Sequence, residues 1–196
     1  MKLKVAFFFD INEIEVFCKN EVFDLTKYKN LNINFIHKKI LDANLKKYSF
    51  NENEPLSRYR GVLYKQKNSL TVYRNNISDN WITNVELTAE KYNRKAVFIN
   101  IDSESPNQGY QLYYYNGKIK RIIYSIKDGR TWTFFEKGPI QFFENGDNYS
   151  ERGATKKFNY EKIRKYCLNL GIDIEDNDLL VPVDTVFFTD TLWRWN

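Results

Sequence analysis

The chain contains few of the residues that disulfide-stapled or metal-dependent proteins rely on. Among its 196 residues there are 2 cysteines, Cys18 and Cys167, and 1 histidine, His37. The cysteines are far apart and form no Cys-x-x-Cys motif, which argues against a disulfide framework or a zinc cage. A catalytic triad or a Cys–His pair would need His37, and neither cysteine lies in a motif typical of a nucleophile. We therefore expect no catalytic, cofactor-binding or metal-binding residues.

Long apolar runs are also missing. None approaches the roughly 20 residues that a membrane-spanning helix needs. The N-terminal run from Leu3 to Phe9 ends at Asp10, too early for the apolar region of a signal peptide, and no small-residue cleavage site follows. The sequence therefore predicts a cytoplasmic protein without membrane contact.

Common nucleotide-binding and catalytic motifs are absent as well. We find no Gly-x-Gly-x-x-Gly sequence, Walker-type loop or calcium loop, so we do not expect an enzyme. What the chain does have is aromatic residues, at 17%, which favour β-sheets over coiled coils. Because there is no repeat and no Pro/Gly-rich linker, the sequence predicts one domain spanning residues 1–196.

Short apolar runs predict most of the strands. We expect a buried strand in the run 3–9, two strands within 61–73 around a polar turn, a short strand near Trp81 to Leu87, and a fully buried strand over 96–101. The segment 31–45 stays open, since its first half alternates as a strand does and its second half has helical spacing.

The clearest local signal is Asn116-Gly117, which lies between two β-rich runs, 109–115 and 118–124. Asn-Gly is the preferred sequence of a type I′ turn, so we expect a hairpin in which Tyr113 faces Lys120. One side of this hairpin is apolar apart from Arg121, and we expect it to face the core.

The other side of the hairpin combines aromatic rings with ammonium groups. It carries Tyr113, Tyr115, Lys118 and Lys120. These pairs stabilise an exposed hairpin by cation–π contacts in one interpretation, which we favour, and form a contact surface for a partner in the other.

Two further elements complete the prediction. A second hairpin is expected from Thr131–Glu136 to Ile140–Phe143, with Trp132 and Phe134 as core anchors. A helix is expected over 160–170, because Asn159 can cap its start and Gly171 can take the left-handed conformation after its end. The predicted fold class is therefore α+β, with a mostly antiparallel twisted sheet and this C-terminal helix packed on one face.

Between residues 132 and 173 the chain resembles a group of bacterial proteins found beside polymorphic toxins and taken to be their immunity partners. The shared pattern is Trp-x-Phe, then a glycine, then Phe-Glu, a linker with Tyr-x-x-Arg, and a helix ending in Leu-Gly-Ile-Asp. The matching positions here are Trp132, Phe134, Gly138, Phe143, Glu144, Tyr149, Arg152, Phe158, Ile163, Tyr166, Leu170, Gly171, Ile172 and Asp173. The chain departs from the pattern in a lysine-rich linker and in Leu179-Leu180, where an aromatic residue is usual.

The resemblance implies an immunity protein that binds a cognate toxin, one to one, and occludes its functional surface. The net charge of +5 suggests an acidic contact surface on that toxin. Our candidate contacts are the Tyr113, Tyr115, Lys118 and Lys120 face, with Asp176 and Asp178 as a second patch.

Two points stay open at this level. Glu144 and Arg152, the charged positions of the pattern, are expected to pair with each other, with contact to the partner as the alternative. The alternative function is a nucleic-acid-binding module that uses the aromatic and basic sheet face.

Overall fold

The computed structural model describes residues 1–12, 17, 32–39, 58–66, 70–75 and 81–192. Within this part of the chain, nine strands form one sheet in which every neighbouring pair is antiparallel. The strands are β1 (Lys2–Phe8), β2 (Asn32–Lys39), β3 (Arg58–Gln66), β4 (Thr71–Asn75), β5 (Lys95–Asp102), β6 (Gly109–Asn116), β7 (Ile119–Asp128), β8 (Thr131–Lys137) and β9 (Pro182–Leu192). Their order across the sheet is β2-β9-β3-β4-β1-β5-β6-β7-β8.

Three helices accompany the sheet in the described part: α1 (Trp81–Lys91), α2 (Ala154–Lys157) and α3 (Tyr160–Asn169), with a 3-10 turn at Gly146–Ser150. The predicted α+β class and antiparallel sheet are confirmed. None of the described helices combines the length and the apolar character needed to cross a bilayer.

The central strands of the sheet are buried on both faces, since their residues alternate between two apolar layers. On β1, Val5 and Phe7 belong to one cluster, together with residues of α3, and Ala6 and Phe8 belong to the other, together with residues of α1. We call these the α3 face and the α1 face of the sheet.

Helix α3 matches its prediction closely. The Asn159 side chain accepts a hydrogen bond from the Lys162 backbone N–H at 3.1 Å, and Gly171 after the helix has a positive φ of 79°. Ile163, Tyr166 and Cys167 are buried, and their spacing of three and four residues places them on one face of the helix.

The predicted strand near Trp81 to Leu87 is wrong, since this segment is helix α1. Val85 and Ala89 are buried against the sheet, and Ile82 packs beside them. Residues 82, 85 and 89 are three and four positions apart, which is the spacing of one face of a helix. The strand prediction relied on the two-residue spacing of 85 and 87, which is a shorter and weaker pattern. In the open segment 31–45, residues 32–39 form strand β2, and the rest lies outside the described residues.

The β6–β7 hairpin forms, but its predicted register is wrong. The turn residues are Gly117 and Lys118, so that Tyr113 faces Ile122 and Tyr115 faces Lys120. Only Gly117 in this turn has a positive φ, of 55°, which fits a type II′ turn with glycine first. Because the shift is by an even number of residues, each side chain stays on its expected face.

The predicted second hairpin is half right. Strand β8 forms, but it pairs with β7, and residues 140–143 turn away without forming a strand. Trp132 and Phe134 lie at the margin of the core and are half-buried, where Trp132 stacks on Tyr110 with ring centroids 5.9 Å apart. Strand β8 is consequently the edge of the sheet.

Candidate functional site

A buried arginine organises the region where β8 ends. The side chain of Arg121, on β7, is 1% exposed and faces the carboxylate of Glu144, which is 0% exposed. The guanidinium donates from Nε to Glu144 Oε1 at 2.9 Å and from Nη2 to Glu144 Oε2 at 2.8 Å. Nη2 also binds Glu136 Oε2 at 2.6 Å, and Nη1 binds the Gly138 carbonyl oxygen at 2.9 Å. The buried cation is therefore paired in a bidentate geometry and well satisfied.

Glu144 connects this arginine to the chain that follows β8. Its Oε1 accepts a hydrogen bond from the Gln141 backbone N–H at 2.8 Å, and the Glu144 N–H donates to the Gln141 carbonyl at 3.0 Å. The Tyr149 hydroxyl donates to Glu144 Oε2, and the Arg121 guanidinium lies 5.2 Å from the centroid of the Tyr149 ring. One carboxylate thus joins β7, residues 138–144 and the 3-10 turn.

The network also sets the ionisation of its members. Burial alone would lower the pKa of Arg121, but its hydrogen bonds to Glu144 and Glu136 hold that pKa above its usual range. Burial and the hydrogen bond to Glu144 raise the pKa of Tyr149. The cation stays charged and the phenol stays protonated at neutral pH, as the hydrogen-bond pattern requires.

Residues 138–144, which we call the 138–144 loop, are fixed at both ends. Gly138 has a φ of 91°, and a Cβ there would lie 2.0 Å from the Lys120 carbonyl oxygen, so no larger residue fits without movement. At the other end Phe143 is fully buried, and its carbonyl accepts a hydrogen bond from Asn169 Nδ2 at 2.9 Å. The loop is thereby held between β7 and α3.

Two large apolar side chains on this fixed loop point into solvent. Ile140 is 57% exposed and Phe142 is 77% exposed, the highest value among the exposed large hydrophobic residues in the described part of the chain. Single exposed apolar residues are common on protein surfaces. Two on one loop that a buried ion pair holds in place resemble the rigid apolar anchors of protein interfaces.

The structure places the candidate residues of the β6–β7 hairpin mostly under α1. Tyr115 is 1% exposed, so the expectation that its ring is exposed is wrong. Tyr113 is half-buried, with its ring edge-on to Phe98 at 5.7 Å. Lys120 binds Glu86 of α1 at 2.5 Å, and Lys118 is exposed at the turn. The sequence did not reveal that α1 would cover this face, because that segment was predicted as a strand.

The second candidate patch lies in the turn after α3. Asp176 and Asp178 are both exposed, and Asp176 Oδ1 accepts a hydrogen bond from the Asp178 backbone N–H at 2.9 Å. Partner binding by these residues, as by the hairpin residues, stays a prediction. In the described part of the chain, no cluster of three or more histidine, cysteine or acidic residues could hold a metal ion.

The expected pairing of Glu144 with Arg152 is wrong. Glu144 pairs with Arg121, and Arg152 is exposed in the linker before α2. A signal was present in the sequence, since Arg121 was the one charge on the apolar side of the hairpin and needed a buried partner. The exposed positions Ile140 and Phe142 were missed because residues 140–143 were predicted as a strand.

Cys167, on α3, does not have the environment of a reactive cysteine. Cys167 is buried, and burial raises the pKa of its thiol, the opposite of what activates a nucleophile. His37 lies on β2. Comparisons of the chain with protein-family models, curated proteins and solved structures found no significant match.

Proposed function

We propose that this protein binds a partner protein through the 138–144 loop, and that it is an immunity protein that neutralises a cognate toxin by covering its active or functional surface. The observation that carries the proposal is the exposure of Ile140 and Phe142 on a loop that the buried Arg121–Glu144 pair fixes. A rigid apolar anchor loses little conformational entropy on binding, which is what tight inhibition requires.

The resemblance to toxin-immunity proteins supports the same surface. Several positions of the shared pattern hold the loop in place: Gly138 begins it, Phe143 and Glu144 end it, and Tyr149 lies against Glu144. The exposed positions Ile140 and Phe142 are not part of the pattern. A constant scaffold with free positions at its tip suits proteins that must each recognise a different toxin.

The nucleic-acid alternative has less support. Tyr115 is buried and cannot stack on a base. On the same face, Tyr124 and Phe135 stack on each other with centroids 4.9 Å apart, which leaves each ring with one face already occupied. The proposal therefore favours a protein partner, with the acidic contact surface that the net charge suggests.

The proposal expects the gene next to this one to encode a toxin, and the test is co-expression with that protein. Phe142→Ala should abolish protection and weaken binding about 30-fold, the effect of losing a hot-spot side chain worth about 2 kcal/mol. Its thermal midpoint should lie close to that of the wild type, because the ring is 77% exposed and its contact with Phe143 is edge-on, with centroids 5.5 Å apart.

Leu87→Ala is the matched control. Leu87 is 58% exposed and lies on α1, which packs on the opposite face of the sheet from Phe143. This variant should protect as well as the wild type. Full protection by Phe142→Ala, with unchanged affinity, would remove the loop from the proposed interface.

A further inference from the structure

Strand β8 lies at the edge of the sheet and, in the described part of the chain, has no proline, no bulge and no covering strand. It runs alongside β7 from Thr131 to Lys137 without a register shift, and it contains no proline. Natural edge strands are commonly short, bulged, interrupted by proline or covered. In the described part of the chain, no backbone hydrogen bond beyond the β7–β8 ladder involves residues 131–137. Among the described residues, a regular row of backbone groups is therefore left without a partner along this edge.

The ladder itself identifies the groups that point outward. The Lys127 N–H donates to the Gln108 carbonyl beside β6, so the backbone polar groups of Lys127 point towards β6. Directions alternate along a strand, so those of Ile126, Tyr124 and Ile122 point towards β8. Their partners there are Thr133, Phe135 and Lys137. The N–H and C=O groups of Trp132, Phe134 and Glu136 consequently point away from the sheet.

The surroundings of this edge are basic. Arg130 and Lys137 are exposed at the two ends of β8. Helix α2 packs against β8 and β7, and its Lys157 Nζ lies 5.2 Å from the ring of Phe134, which belongs to the α3 face. Lys156, on the same helix, is exposed. Glu136 shares Arg121 with Glu144, so these three residues together carry one net negative charge, and exposed Asp128 lies opposite Thr131. The two negative charges offset half of the four cations Arg130, Lys137, Lys156 and Lys157, and the surroundings of the edge stay basic.

We infer that β8 receives an extended acidic segment of the partner protein, which adds to the sheet as a tenth strand. Backbone hydrogen bonds to Trp132, Phe134 and Glu136 would supply affinity, and the flanking cations would select acidic side chains. The inference rests on the proposed role in partner binding, and it extends that surface without a break, because Gly138 of the loop directly follows Lys137.

A test that does not depend on the toxin is selection of random linear peptides displayed on phage against the immobilised full-length protein. The expected result is enrichment of acidic sequences with alternating β-branched residues. Their affinities for Trp132→Pro and Trp132→Ala are then compared. Both variants lose the ring that stacks on Tyr110, but only proline removes the outward N–H.

The proline variant should bind the selected peptides about tenfold more weakly than the alanine variant, since a backbone hydrogen bond is lost and the proline ring obstructs the incoming strand. Equal affinities, or a selection that yields no acidic sequences, would overturn the inference. If Trp132→Pro fails to fold, Arg130→Glu with Lys156→Glu provides the second measurement. That pair should also weaken binding about tenfold, and unchanged binding would count against the edge.

The two proposals fail in different ways. Phe142→Ala with full protection from the toxin contradicts the loop and leaves the peptide result standing. Protection by the wild type, combined with no difference between the two Trp132 variants, contradicts strand addition and leaves the proposed function standing.

Discussion

Replacing Arg121 with methionine tests whether the buried ion pair holds the 138–144 loop. Methionine has a similar length and fills much of the same space, so the main loss is the charge and its hydrogen bonds. Glu144 would remain fully buried without its cation and, among the described residues, would keep only the Gln141 N–H and the Tyr149 hydroxyl as donors. Glu136 is 36% exposed and can be solvated, so it adds little to the cost.

Breaking a buried pair by removing one partner typically costs about 3–5 kcal/mol, because it leaves an uncompensated charge. We expect Arg121→Met to lie in this range, a large share of the roughly 5–15 kcal/mol that stabilises most domains. Removing both charges, as in Arg121→Met with Glu144→Leu, should cost less than the sum of the two single variants, by about 2 kcal/mol. The recovery should be incomplete, since Tyr149 and Gln141 lose their acceptor.

Urea unfolding followed by circular dichroism would measure all four proteins of this double-mutant cycle. A loss below about 1 kcal/mol for Arg121→Met would refute the reasoning, since it would mean that water reaches Glu144. Additive effects of the two substitutions would also contradict it, because they would show that the two side chains do not depend on each other.

Two further predictions concern the same region. Gly138→Ala should destabilise the protein by more than about 2 kcal/mol, because the residue has a positive φ and its Cβ would clash with the Lys120 carbonyl. Gly129→Ala, where φ is also positive but the space is open, should cost about 1 kcal/mol. Equal losses of unfolding free energy in urea would show that the structure relieves the clash at Gly138. Because the pKa of Tyr149 is raised in the folded state, its contribution to stability should be complete below about pH 10, the unfolded value, and be lost as the pH rises further. Tyr149→Phe should therefore show a stability that falls less steeply above that pH, and identical slopes would contradict this assignment.

Local sequence signals predicted the elements whose causes are local. Helix α3 was predicted because Asn159 and Gly171 satisfy its two ends, and these contacts lie within a few residues of each other. The β6–β7 hairpin was predicted from Asn116-Gly117, but its register was predicted wrongly. Gly117 can be the second residue of a type I′ turn with Asn116 or the first residue of a type II′ turn with Lys118, and the sequence did not distinguish the two. The predicted face of each side chain is still correct, because a register shift of two residues does not change which side of the sheet a residue points to.

The candidate site could not be predicted in the same way, because its contacts are not local. Arg121 and Glu144 are far apart in sequence, and the sequence assigned Glu144 to the nearer Arg152. Helix α1 covers Tyr115 on the α1 face of the sheet, opposite to Arg121, so the burial of Tyr115 depended on an element that had been predicted as a strand. The sequence did indicate that Arg121 needs a buried anion, because an arginine on an apolar strand face is too costly to bury without one.

The buried Arg121–Glu144 pair could contribute to the proposed partner binding even if it adds little to stability. A buried ion pair is weak evidence for stability, because well-packed apolar residues of similar volume often serve as well. Its distinctive property is direction: the bidentate contact fixes the Glu144 carboxylate, which fixes the Gln141 N–H, and Phe142 lies between these two residues. A loop positioned in this way holds the backbone at Phe142 in place before any partner binds, as the proposed function requires. Arg121→Met, provided that it folds, should therefore bind the partner more weakly than the wild type although Phe142 is unchanged. The loop would then have to be ordered on binding, and the entropy lost would reduce the free energy of binding.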